Sequence, residues 1–215
     1  MNQGIVELLI GMIVAPMIVM TIYGFSKALI SARLGDPLPK RDRRISLNPL
    51  KHIEWIGFIL FAVTRVFGWS RPVETSNLYY KNRKRDILIT NVTPILILLV
   101  SATLFSLLFR QSRAVQAVYL HEVSNLDVIL AILFRELASF SVILAVVNLI
   151  PISPFDGSKI LGLYLNPNQM VGLASKERAI LFILTFMMII WPNNPLTFVL
   201  VAVRNFIMSF ITMIG

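Results

Sequence analysis

Residues 87–109 run for twenty-three positions without a charged side chain. As a helix this run rises roughly 34 Å, enough to cross the hydrocarbon core of a bilayer. A soluble fold would have to wrap such a cylinder in polar chain, and little is on hand: 56% of side chains are hydrophobic and 14% charged, with a mean hydropathy of +0.76. Soluble globular, disordered and disulfide-framework classes are excluded. Further apolar runs occupy 4–29, 126–150, 179–191 and 196–214. The last two are separated by Trp191-Pro192-Asn193-Asn194-Pro195 and read as a helical hairpin. The first has no Lys or Arg before Lys27, so it lacks the basic leader of a cleaved signal peptide and reads as a retained span. Segment 55–69 holds fifteen residues, is interrupted by Arg65 and is flanked by the two most basic loops, one of which a full crossing would place outside, which predicts a re-entrant or interfacial element. The expectation is an all-α polytopic bundle of about five full spans, forming a single membrane domain over 1–215 without repeats.

The net charge of +9 does not point to nucleic acid, because its carriers gather at the edges of the apolar runs. Arg33, Lys40, Arg41, Arg43, Arg44 and Lys51 lie in one polar block; Arg71, Lys81, Arg83, Lys84 and Arg85 in a second; Lys159, Lys176 and Arg178 in a third. This is the basic excess of cytoplasmic loops, expected at about 33–53, 71–86 and 158–178, with the amino terminus outside and acidic lipid heads as default contacts. The connection 110–125, with Arg110 and Arg113, then falls outside. No cysteine is present, so metal chemistry is left to carboxylates and two histidines, His52 and His121.

Asn148 to Ile160 reads NLIPISPFDGSKI: two prolines break the end of an apolar helix and Asp156 stands beside Gly157 at membrane depth. Carbonyls freed by proline need partners, and an ionisable group there is a functional candidate by default. The stretch resembles the Asn-x-x-Pro-x-x-x-x-Asp-Gly motif of the site-2 protease family of intramembrane zinc metalloproteases, matching at Asn148, Pro151, Asp156 and Gly157. Ala32 to Leu60 (ARLGDPLPKRDRRISLNPLKHIEWIGFIL), Phe67 to Val73 (FGWSRPV) and Tyr79 to Asp86 (YYKNRKRD) resemble compact bacterial members without a PDZ domain, which implies a bacterial cytoplasmic membrane.

The resemblance implies that Asp156 is one of three zinc ligands and that a His-Glu-x-x-His motif precedes Leu34-Gly35-Asp36-Pro37. Here that place is held by Tyr23-Gly24-Phe25-Ser26-Lys27. Tyr23 and Lys27 share a helix face but offer no imidazole, and Gly24 offers no general base. His52 and His121 fall on opposite sides of the expected topology, and a set of His52, Glu54 and Asp156 is a poor replacement. No zinc and no other cofactor is therefore expected. In the family's fold Lys27 faces Asp156, and the two can form an ion pair in place of the metal, with Tyr23 donating to the same carboxylate. Alternatively Lys27 snorkels to the headgroups while Asp156 caps the helix that starts near Gly157.

The remaining intramembrane charges read as structural. Arg135 and Glu136 point about 100° apart and are expected to address different neighbours. Arg65 belongs at the re-entrant turn, Arg204 at a contact between helices, Glu7 near the outer headgroups and Gly35 in a turn. The leading expectation is a non-enzyme: a catalytically inactive site-2-protease-like protein acting as a binding, regulatory or structural subunit for other membrane proteins, Asn148 matching a substrate-positioning asparagine. An intramembrane metalloprotease with rearranged ligands and a small proton or ion path subunit are the alternatives.

Overall fold

The computed structural model describes residues 5, 8–112 and 125–214, all of its regular structure being helical. His121, Arg113 and Glu7 lie outside the described residues. The chain opens with a π-helical turn, Ile10–Val14, that continues into α1, Ala15–Arg33. Pro16 explains the wider turn, since it has no amide hydrogen for the usual i to i−4 bond. Then follow α2 (Leu38–Arg41), a 3-10 turn (Pro49–Lys51), α3 (Trp55–Thr64), α4 (Arg83–Gln111), α5 (Asn125–Asn148), α6 (Asp156–Leu161), α7 (Pro167–Ile190) and α8 (Pro195–Ile214).

Among the described residues, four helical stretches are long and apolar enough to cross a membrane: Ile10–Arg33, Arg83–Gln111, Leu126–Asn148 and Pro195–Met213. The run 179–191, expected to be a further span, is the second half of α7, whose first half carries Lys176, Glu177 and Arg178 and so dilutes its hydropathy. For the same reason 158–178 is not the loop expected. It holds α6 and the start of α7, where Pro167 follows Asn166 and a capping box joins Asn166 to Gln169. Asn194 starts α8 by accepting from Thr197 N at 2.9 Å.

The core forms where α1, α4 and α5 pack together. Arg65 lies against Gly11 and bonds Glu136, whereas Lys27 meets Asp156 just beyond the end of α5. Hence α1 and α5 run in the same direction. Tyr80, before α4, bonds Ser31 at 2.9 Å and Thr90 at 3.1 Å, so α4 enters at the end where α1 leaves. Asp36, in the Leu-Gly-Asp-Pro turn, has a structural use: its carboxylate accepts from Ser31 Oγ, Leu38 N and Ser76 N, fastening the two polar loops together. Gly35 takes φ +106°, the left-handed turn that favours glycine.

Segment 55–69 folds back on itself. Glu54 caps α3 by accepting from Gly57 N at 2.7 Å, and the helix is roughly 15 Å long, too short to cross. It stops at Arg65, whose φ of 56° reverses the chain, and Thr64 Oγ1 accepts from Phe67 N at 3.0 Å to close the turn. The return is extended and lies directly on the helix it left: a Cβ at Gly57 would stand 2.3 Å from Trp69 O, and one at Gly68 2.3 Å from Gly57 O. The tip is pinned from α5, where Glu136 receives Arg65 at 3.5 Å and Arg135 at 3.2 Å. Arg135 and Glu136 thus meet rather than diverge, because a guanidinium stem bends back across the 100° between them. Arg204, expected between helices, donates to Asn205 on its own helix and also lies in the field of Glu136 on α5.

Candidate functional site

The site forms where α1 passes the turn between α5 and α6. Asn148 ends α5, and its amide donates to Leu144 O at 2.8 Å within the same helix. The chain then turns through Pro151, which is exposed, to Phe155 and Asp156, both buried. Asp156 can sit this deep because of its neighbour: a Cβ on Gly157 would stand 2.3 Å from Leu149 O and 2.6 Å from Ile150 O, so only glycine lets α6 close onto the end of α5. Phe155 is held edge-to-face by Phe67 and Trp69 of the returning extended segment, with centroids at 5.8 and 6.4 Å. Each such pair contributes about 0.5–1.5 kcal/mol beyond area burial.

Asp156 faces α1. Lys27 Nζ donates to Oδ1 and Tyr23 Oη donates to Oδ2 at 2.8 Å, with Lys27 Nζ and Tyr23 Oη 3.5 Å apart. Lys27 is 2% exposed and Asp156 is fully buried, so the ammonium does not reach headgroups, and Asp156 makes no side-chain cap of α6. Both carboxylate oxygens are satisfied, as burial of a charge requires.

Gly24 lies between Tyr23 and Lys27 in the helix, and its missing side chain is filled by His52. A Cβ there would stand 2.3 Å from His52 Nδ1 and 2.9 Å from Cγ. His52, assigned by sequence to a cytoplasmic loop, is fully buried. Its Nε2–H donates to Ser46 O at 2.7 Å, and burial lowers its pKa, leaving Nδ1 with a lone pair and no hydrogen-bond partner among the described residues. Arg44 braces the loop that delivers it, donating to Lys51 O and to Arg71 O. Arg71 N donates to His52 O at 2.8 Å. No sequence pattern marks this imidazole as buried; only the glycine opposite hints at it.

A cleft of about 270 Å³ opens beside the pair, lined by Tyr23, Lys27, Asn148, Ser153, Lys159 and the extended stretch from Trp69 to Glu74. A second hollow, lined by Trp69, Pro72, Ser153, Pro154 and the α7 residues Glu177 and Arg178, continues from it. Lys159 is exposed as a residue, and the nearby positive charge of Lys27, ahead of partial desolvation at the cleft, lowers its pKa to about 8 against the opposing pull of Asp156 and Glu74.

Zinc is the metal the family resemblance implies. Among the described residues no three His, Asp or Glu side chains come together, His52 and Glu54 included. Asp156 is engaged by Lys27 and Tyr23, which stand where imidazoles are needed. The residues present do not fit zinc, which takes about three nitrogen, sulfur or oxygen ligands and an open position.

No family model matches the chain, and no solved structure matches it. It is 26% identical over 180 residues to the protein named putative zinc metalloprotease YwhC of Bacillus subtilis (strain 168), a likeness that covers 80% of each chain. This overturns the expectation of a non-enzyme, since the relative's name points toward a protease. Along most of its length, then, the chain is similar to a protein that carries a metalloprotease name, which supports a site-2-protease-like relationship.

Proposed function

We propose that this chain is a site-2-protease-like integral membrane protein whose cleft takes an extended segment of another membrane polypeptide, with Lys27 and Asp156 paired in the place the family resemblance gives to zinc. The observation that carries this reading is the stretch from Trp69 to Glu74. Arg71 is tied through its amide and carbonyl to His52 and Arg44, but the backbone groups of Ser70, Val73 and Glu74 have no hydrogen-bonded partner among the described residues. Extended backbone with free donors and acceptors beside a cleft is a template for pairing with another extended strand. The basic loops support a cytoplasmic-side location for this cleft at the cell membrane.

The chain has no cysteine, so a single Glu74→Cys carrying a photo-crosslinker reports on the cleft alone. The expected result is a defined membrane polypeptide captured from native membrane, well above the yield at Leu78→Cys, a position 90% exposed and outside the cleft lining. Equal yields at both positions refute the reading.

The likeness to a protein named as a zinc metalloprotease favours a second reading, cleavage of the bound segment with rearranged ligands. It requires Asp156 to leave Lys27 for a metal. Stoichiometric zinc that disappears in Asp156→Ala, together with cleavage of a lipid-embedded peptide by the purified chain, selects this reading over the first.

A further inference from the structure

A separate cavity of about 400 Å³ lies between the start of α4, α6 and the start of α7. Arg83, Lys84 and Lys159 line it and no carboxylate does; none of the three has an ion-pair partner among the described residues. Arg83 and Lys84 occupy the first turn of a 29-residue helix, the positive end of its dipole, where cations are disfavoured. The helix cap does not explain them, because Asn82 and Asp86 already satisfy that end with their own side chains. Three cations lining one cavity with no carboxylate in that lining favour a bound anion there.

The rest of the lining tells which anion. Ile87, the first residue of the uncharged run, is buried on the floor, with Leu163 and Met170 beside it. The cavity therefore straddles the level at which charged chain gives way to membrane span: cations at the rim, hydrocarbon beneath. Free phosphate would use only the rim. We propose that this cavity is a binding site for one anionic phospholipid, its phosphate held by Arg83, Lys84 and Lys159 and its glycerol end lying on Ile87 and Leu163. Lys159 also lines the cleft beside Asp156 and Glu74, so it joins the lipid site to that cleft.

The test is native mass spectrometry of the full chain in an uncharged detergent, titrated separately with phosphatidylglycerol, phosphatidylcholine and inorganic phosphate. The expected result is one retained phosphatidylglycerol, with apparent affinity falling roughly ten-fold or more in the double variant Arg83→Gln/Lys84→Gln. The charge-matched double variant Lys40→Gln/Arg41→Gln, on α2 and outside the cavity lining, should bind as the parent does. A thermal melt checks folding of each variant, and Lys159→Gln, on a different helix, should lose affinity in the same direction. Equal retention of phosphatidylcholine, equal loss in the Lys40/Arg41 control, or inorganic phosphate binding as well as the lipid would each overturn the proposal.

Discussion

Replacing Lys27 with methionine keeps a stem of similar length and removes the ammonium, leaving Asp156 fully buried with one remaining donor, Tyr23 at 2.8 Å. Breaking a buried ion pair by deleting one partner costs about 3–5 kcal/mol, because a charge is left without compensation. For a chain of this size the melting midpoint should fall on the order of 10 °C. Adding Asp156→Leu removes the stranded charge at the cost of Tyr23's acceptor, and the double variant should recover most of the loss, with a coupling of about 2 kcal/mol or more. The assay is a double-mutant cycle on thermal unfolding in mild detergent. Simple additivity, or a Lys27→Met midpoint equal to that of the parent, would refute the reasoning that the two charges depend on each other.

Other consequences are equally direct. Gly24→Ala drives a methyl group to within 2.3 Å of a buried imidazole and should destabilise by about 1–3 kcal/mol, whereas His52→Ala in the same chain should relieve the clash, as read by the same melts. The pKa of His52 is lowered by burial, so the unfolded chain binds the proton more readily; its contribution to stability is present above about pH 6.5 and is lost as pH falls from there toward the depressed folded value, and a His52→Gln variant should flatten this part of the stability profile. Glu136→Gln keeps an acceptor but loses the charge facing Arg65 and Arg135, which should cost about 1–3 kcal/mol and speed hydrogen exchange in residues 60–67 ahead of the rest of the core.

The parts of this architecture legible in the sequence are those set by local composition. The uncharged run 87–109 fixes α4, and Arg65 inside a fifteen-residue apolar segment marks where the chain reverses. The family resemblance around Asp156, and the place it gives to Tyr23 and Lys27 ahead of Leu34-Gly35-Asp36-Pro37, single out the groups that meet Asp156. What escaped was tertiary. Residues 158–178 are polar and read as a loop, yet Asn166-Pro167 and Gln169 are a helix start hidden by the surrounding charge. His52 looks like any loop histidine until Gly24 is placed opposite it. Adjacent charges on one helix diverge by periodicity, but Arg135 and Glu136 meet because a long side chain overrides that rule. Catalytic character cannot be read from ligand spacing alone, and here similarity to a named protease corrected the inference drawn from the missing motif.

The tight fit of His52 against Gly24 also restricts the order in which these sequences can change. A larger residue at 24 requires the imidazole of 52 to move or shrink, so the route to an acidic side chain at that position passes through a second locus twenty-eight positions away.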